Sequence, residues 1–363
     1  MGWELKKRLL IEKPNIPPGE WVWFHCASVG EFITAEPLIR KVKERFGVFL
    51  TYFSPKAEGF LKSRADAWDV LFPLPFDLPH LVRRLEGIVK PRVLIVIERE
   101  MWPFLITATG VRKILLNARS KGDLLERLLA SRYSLVVART ERDAEGFRRA
   151  GAKRVVVCGN LKLALEVSSE PVDVGLPEGS FLFVAGSTHP GEEVHLVEAF
   201  LELKRQVPIV MILAPRHPDR VDHIAELLES KGINWCFRTS PKNRWEVMVL
   251  NTLGELKGVY TKADVTFVGG TLVPVGGHNL LEPALLGKPV LFGPNTHKVR
   301  DMEEIVVREG YGFKVSGPED IVSVTLRLLR DGFRPAGDLR RLSEEVRECY
   351  TRVVLSELEE VTD

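Results

Sequence analysis

Two α/β domains, each built on a doubly wound parallel sheet, are predicted by three features of this sequence. The chain is 363 residues long, more than a single hydrophobic core of ordinary size accommodates. Short apolar runs alternate with amphipathic segments from end to end, the pattern of parallel strands covered by helices on both faces. The alternation then restarts: a polar stretch containing Pro and Gly, from Ser168 to Ser180, separates one complete series from a second. Residues 1–166 are expected to form an N-terminal domain and 167–345 a C-terminal one, with 346–363 a helix packing back on the first. The two domains are expected to face each other across a cleft that holds the site, where strand C-termini converge.

The first apolar run, WVWFHCA from Trp21, follows Pro17, Pro18 and Gly19 and reads as a buried strand. It stops on Ser28, Gly30 and Glu31, and the segment PLIRKVKERF from Pro37 has helical spacing. Glu31 thus falls in a strand-to-helix turn, beside a glycine that lets backbone approach a ligand. An acid at such a place also complements the helix macrodipole with no further role. GVFLTYF, VLIVIE, KILLNA, SLVVA and RVVVCG continue the first series of strands; FLFVAG, PIVMILA, VMVLN, DVTFVGG and PVLFG form the second.

Composition narrows the function classes. Lys and Arg total 51 against 49 for Asp and Glu, so no global basic field argues for a nucleic-acid partner. The four cysteines, Cys26, Cys158, Cys236 and Cys349, are far apart and form no C-x-x-C pair, and are expected to be reduced core residues of a cytoplasmic protein. No apolar stretch reaches the ~18 residues that span a bilayer, and the N-terminal MGWELKKRLLIEKP lacks the h-region of a signal peptide. Any membrane contact is expected to be peripheral.

Polar, Gly-rich clusters follow the strands of the second series, where an open α/β sheet binds ligands. In GSTHPGEE, Gly186 and Ser187 end a strand and His189 to Gly191 open a helix, offering backbone N–H groups to an anion. APRHPDR adds Arg216 and His217; the Arg216 guanidinium can give a bidentate fork to two anionic oxygens. NTLGEL places Thr252 and Gly254 at another strand end. In GGHNLLEPA, Gly276 and Gly277 bring backbone close, His278 and Asn279 begin a helix, and Glu282 can accept two hydrogen bonds from the cis-diol of a ribose. Taken alone, GSTHPGEE also reads as a capped helix start and GGHNLLEPA as a helix N-terminus with a stabilising acid, while a mere surface charge fits Arg216 less well at a strand's C-terminal end. Four such clusters in one domain point to a nucleotide site, and the lack of G-x-G-x-x-G or a P-loop argues against a dehydrogenase or NTPase. No D-x-D and no His/Cys cluster at ligand spacing is present, since His189 and His195 do not share a helix face, so no metal is expected.

Together with SVGE, PFDLPH, the segment Glu98-Arg99-Glu100-Met101-Trp102-Pro103 and GNLK, these motifs resemble the Kdo transferases, the 3-deoxy-D-manno-octulosonic acid transferases of lipopolysaccharide synthesis. The resemblance runs over nearly the whole chain. It implies a GT-B fold of two Rossmann-like domains and transfer of Kdo from CMP-Kdo to a lipid A precursor, with inversion and without a metal or other cofactor. It also implies an address at the cytoplasmic face of the inner membrane; protein partners are not indicated. The acceptor hydroxyl then needs a base, and Glu31 matches the family's SVGE motif; Glu98 and Lys162 resemble family residues near the reacting sugar. Lys162 could neutralise the Kdo carboxylate or the departing phosphate and Glu98 support positive charge at the anomeric carbon, or the two are a structural ion pair or solvated charges. The family's acidic segment commonly carries Thr where Arg99 stands, and its members commonly begin with an apolar anchor that this sequence lacks. Membrane attachment is therefore expected from Arg40, Lys41, Lys43, Arg45, Lys56, Lys62 and Arg64, interleaved with Leu38, Ile39, Phe46, Phe60 and Leu61. The alternatives are a GT-B-like sugar-nucleotide epimerase, a UDP-sugar transferase, or a non-catalytic membrane-peripheral binding module.

Overall fold

A computed structural model describes residues 4–164 and 170–360 of the chain; the part of the expected linker that falls on 165–169 lies outside the described residues. Two seven-stranded sheets, parallel throughout, organise the described residues. The first contains β1 (Trp21–His25), β2 (Gly47–Tyr52), β3 (Val70–Pro73), β4 (Val93–Ile97), β5 (Arg112–Ala118), β6 (Leu135–Ala138) and β7 (Val155–Val157) in the order β3-β2-β1-β4-β5-β6-β7. The second contains β8 (Phe181–Thr188), β9 (Ile209–Pro215), β10 (Trp235–Phe237), β11 (Val247–Val249), β12 (Val265–Val268), β13 (Val290–Phe292) and β14 (Gly312–Lys314) in the order β10-β11-β9-β8-β12-β13-β14. The orders reverse between β1 and β4 in the first sheet and between β8 and β12 at the centre of the second, and a doubly wound sheet leaves its ligand crevice at such a reversal.

The central strands are buried on both faces, as β1 shows with all five residues inside, which is why they read as unbroken apolar runs. On one face of the first sheet Trp23, Phe49, Leu94 and Phe147 form a core. The second sheet has Phe183, Phe200, Met211 and Phe267 on one side and Leu182, Met248 and Tyr260 on the other.

The chain divides into two compact units, residues 1–166 with 342–363 and residues 167–341. The change falls inside the final helix, Leu339–Glu359, whose later residues are held to the first unit. Tyr350 Oη donates to the Gly159 carbonyl at 2.9 Å and Ser343 Oγ to the Leu163 carbonyl at 2.7 Å. Fully buried Glu357 pairs with both Arg112 and Arg154. Cys158 and Cys349 are joined by a disulfide, which corrects the expectation of four reduced thiols; Cys26 and Cys236 are free and buried. The separation of 191 residues between Cys158 and Cys349 says nothing about proximity once the last helix returns to the end of β7. Replacing Glu357 by Ala should lower stability by only about 1–2 kcal/mol in a denaturant titration, because the half-exposed arginines regain water once their partner is gone.

Three further departures have local causes. The first long helix begins at Val29, with Pro37 inside it, rather than at Pro37; Ser28 caps it by accepting the Glu31 N–H at 3.3 Å. The short helix of GGHNLLEPA runs Leu281–Leu285, so His278 and Asn279 precede it; the Asn279 Oδ1 accepts the Leu281 N–H at 3.0 Å. Six of the seven basic residues offered for membrane attachment, all but Lys56, are not surplus to the fold. Arg40 pairs with Glu36 and Asp66, Lys41 with Glu44, Lys43 with Asp69, Arg45 with Glu359, Lys62 with Glu58 and Arg64 with Glu36, while Leu38, Ile39 and Leu61 are core residues.

Candidate active site

At the reversal of the first sheet, β1 delivers Glu31 and β4 delivers Glu98. Glu31 is the third residue of its helix and completes a variant of the capping box in which the backbone donor is the residue before the cap: Ala27 N–H donates to its Oε2 at 2.7 Å and Ser28 Oγ to its Oε1 at 3.2 Å. Only 9% of it is exposed. Burial, reinforced by the like charge of Glu100 and then Glu98, raises its pKa to about 8, against the opposing hydrogen bond from Ala27. The carboxyl that the sequence leaves open between a cap and a base is a cap in the structure, and its burial holds it above the usual carboxylate range. Glu100 is also raised, first by burial, although Trp102 Nε1 donates to it at 2.8 Å.

Glu98 directly follows β4 and lies in the left-handed region, φ 61°, as does Asn117 on the adjacent β5, φ 56°. Such a conformation is uncommon for residues with a Cβ. Glu98 Oε1 receives Arg139 Nη2 at 3.0 Å, Asn117 Nδ2 at 3.4 Å and Lys162 Nζ at 4.0 Å. The Asn117 Oδ1 accepts the Leu161 N–H at 3.0 Å, so one side-chain amide ties the acidic strand end to the turn carrying Lys162. The ion pair of Glu98 and Lys162 weighed from sequence is thus present at the longer distance, and Arg139 is the nearer cation. Arg99, one residue on, pairs with Asp123.

At the reversal of the second sheet, one buried carboxylate organises the loops. Glu192, with no exposed surface, accepts N–H bonds from Gly270 (2.8 Å), Thr271 (2.9 Å), Leu272 (2.9 Å) and His189 (2.9 Å). The helix start in GSTHPGEE therefore spends part of its N–H capacity internally. Above it, His189 and His278 stack with centroids 5.0 Å apart and Nε2 atoms 2.7 Å apart, and His217 meets His189 edge-on at 5.9 Å. Burial, then His189 and Arg216, lower His278 to about 4, so the pair carries at most a shared neutral hydrogen bond near pH 7. Glu282 is raised by burial and held back by Lys257, Asn279 and Arg216, which places a carboxylate and two cations in one neighbourhood.

The glycines serve packing as well as approach. A Cβ on Gly186 would lie 1.9 Å from Tyr260 Oη, and one on Gly276, φ 107°, 2.6 Å from His297. Gly277, φ 90°, would meet Val299 at 2.6 Å. Ser187 beside them has φ 55°. Thr252 donates to Glu255, itself paired with Arg238 at 3.1 Å, so its hydroxyl is engaged within its own loop next to Gly254. Sequence reading passed over Asn117, Arg139, Glu192 and Lys257. A signal existed for Asn117, a polar residue inside an apolar run, and for Arg139, directly after a strand.

A family model described as 3-deoxy-D-manno-octulosonic-acid transferase (kdotransferase) matches residues 4–165. A 3-deoxy-D-manno-octulosonic acid transferase of Aquifex aeolicus is 41% identical over 332 residues, 91% of either chain. The chain belongs to the Kdo transferase family. Among solved structures it is similar to MurG of Acinetobacter baumannii (TM-score 0.61, 13% identity, 94% of this chain and 99% of that one). It is equally similar to a UDP-GlcNAc 2-epimerase of Neisseria meningitidis (TM-score 0.61, 13% identity, 94% and 100%). At such identity these likenesses concern the fold, which is of the GT-B type. Membership gives the strand-end residues their context: SVGE, the Glu98 segment and GNLK lie in the part matched by the family model.

Among the described residues no group of three or more His, Cys, Asp or Glu side chains is placed to hold a metal ion. None of the described helices is long and apolar enough to cross a membrane.

Proposed function

We propose that the chain transfers Kdo from CMP-Kdo to a hydroxyl of a lipid A precursor in a metal-independent single displacement with inversion, Glu31 acting as general base. The observation that carries this reading is the Glu31 carboxyl, buried at the sheet reversal with its pKa raised to about 8, where a base for a hydroxyl is most effective near neutral pH. Glu98 supports positive charge at the anomeric carbon, and Lys162 faces the Kdo carboxylate or the leaving phosphate. In the other unit, Arg216 takes the phosphate of CMP and Glu282 its ribose diol, with His278, Asn279 and the Gly276-Gly277 turn shaping the pocket. The protein works as a peripheral enzyme at the cytoplasmic face of the inner membrane.

The test is incubation of the protein with lipid A precursor and CMP-Kdo generated in situ, read by mass spectrometry, with the anomeric configuration of the product assigned by NMR. An epimerase or UDP-sugar transferase predicts instead that UDP, not CMP, protects the protein from thermal unfolding. For the donor contacts, Arg216→Ala and Glu282→Ala should each weaken CMP binding about tenfold or more. With cytidine in place of CMP, the Arg216 effect should vanish and the Glu282 effect persist. Equal sensitivity of both variants to both ligands would show the contacts wrongly assigned.

A further inference from the structure

A cavity of about 500 Å³ opens beside the C-terminal end of β5. Lys121 lines it from the loop after the strand, Arg127 from the short helix Leu124–Leu129, and Arg142 and Arg149 from the helix Glu141–Arg149. All four cations are exposed, and none is in an ion pair among the described residues. This sets them apart from the paired cations Arg40, Lys41, Lys43, Arg45, Lys62 and Arg64.

The acids at the same place are already engaged. Asp143 accepts the Ser120 N–H at 2.9 Å and the Thr140 hydroxyl at 2.6 Å. Glu126, fully buried, accepts the Lys121 N–H at 2.9 Å, the Gly122 N–H at 3.2 Å and the Ser120 hydroxyl. These bonds hold the loop open as a frame and leave the four cationic side chains to an external anion.

The helix that carries Arg127 also presents Leu124 (70% exposed) and Leu128 (59%), one turn apart on one face. It packs beside the helix Pro103–Ala108, which exposes Phe104. Apolar residues held out in water next to unpaired cations are the two halves of an interfacial lipid contact. Arg99 connects this place to the candidate site, since it follows Glu98 and pairs with Asp123, the cap of the same helix.

We propose that this cavity and its leucine face dock the surface of an anionic bilayer. Lys121, Arg127, Arg142 and Arg149 take lipid phosphate, and Leu124 and Leu128 enter the acyl boundary. The proposal rests on the reading of the chain as an enzyme with a lipid-borne acceptor. Its test uses vesicles that contain neither donor nor acceptor, so it can fail while that reading stands, and the reverse.

Vesicles of phosphatidylcholine with phosphatidylglycerol, sedimented with the protein, should bind it far better than phosphatidylcholine alone. Arg142→Gln with Arg149→Gln should lower partitioning roughly 30-fold, at roughly fivefold per cation near such a surface. Leu124→Ser with Leu128→Ser should lower it about tenfold or more and abolish the part that survives high salt. Lys41→Gln with Lys43→Gln should bind as the parent does. CMP affinity, unchanged in all three, reports intact folding. Undiminished binding of the double arginine variant overturns the proposal, as does loss of binding in the double lysine variant. Calorimetry with inorganic phosphate separates a lipid dock from a site for free anions. Tight phosphate binding, combined with full vesicle binding by the leucine variant, also overturns it.

Discussion

Replacing Glu31 by Gln is expected to lower the transfer rate about 10²–10⁴-fold, the usual contribution of a general base, while CMP affinity stays at the parental value. The amide keeps an oxygen to accept the Ala27 N–H, so the capping box and the fold survive the change. The parent enzyme should show kcat/KM rising with pH and levelling above about 8, because the base acts only when ionised and its pKa is raised to about 8. That limb should be absent from the residual activity of Glu31→Gln. The stability effect has a definite sign. A carboxyl bound more tightly to its proton in the folded state stabilises the protein below its unfolded pKa, near 4.5. That contribution is lost as pH rises from there to about 8. Relative to Glu31→Gln, the parent should lose stability across that window and no further above it. A variant with parental turnover, or one that keeps the rising limb, would remove Glu31 from the chemistry and leave it the cap alone.

Glu192→Ala is expected to be the most damaging single change in the second unit. It orphans four N–H groups that now converge on one carboxylate, a loss of about 3–5 kcal/mol when a buried, charge-assisted cluster is broken. The amides of Gly270, Thr271 and Leu272 should then exchange with deuterium far faster than in the parent, and CMP affinity should fall, because the loops at the sheet reversal lose their common anchor. Glu192→Gln should resemble Ala more than the parent, since its NH₂ group points donors at donors. Unchanged protection of those three amides would show that the loops are held by other contacts.

Sequence alone determined the central architecture. A strand flanked by neighbours on both edges and covered on both faces must be apolar throughout, so β1, β2, β4, β5, β8, β9 and β12 announce themselves as runs. The strands without such a run, β3, β10 and β14, are all edge strands; with one neighbour and partial exposure they carry a weaker pattern. That Glu31, Arg216 and Glu282 follow strand C-termini was legible because local order along the chain sets which residues come after each strand. What only the tertiary structure decided depends on distances between residues remote in sequence. Asn117 on the neighbouring β5 and Arg139 after β6, one strand further, meet Glu98, and Glu192 reaches about 80 residues ahead to the loop it anchors. Cys349 returns to Cys158, and Arg40, Lys43 and Arg45 find in Asp66, Asp69 and Glu359 acids that no local pattern assigns to them. The ionisation of Glu31 belongs with these, for the same physical reason: hydrophobic periodicity records which face of an element is buried, whereas a pKa or an ion pair is set by the dielectric and the charges that folding brings within a few ångströms.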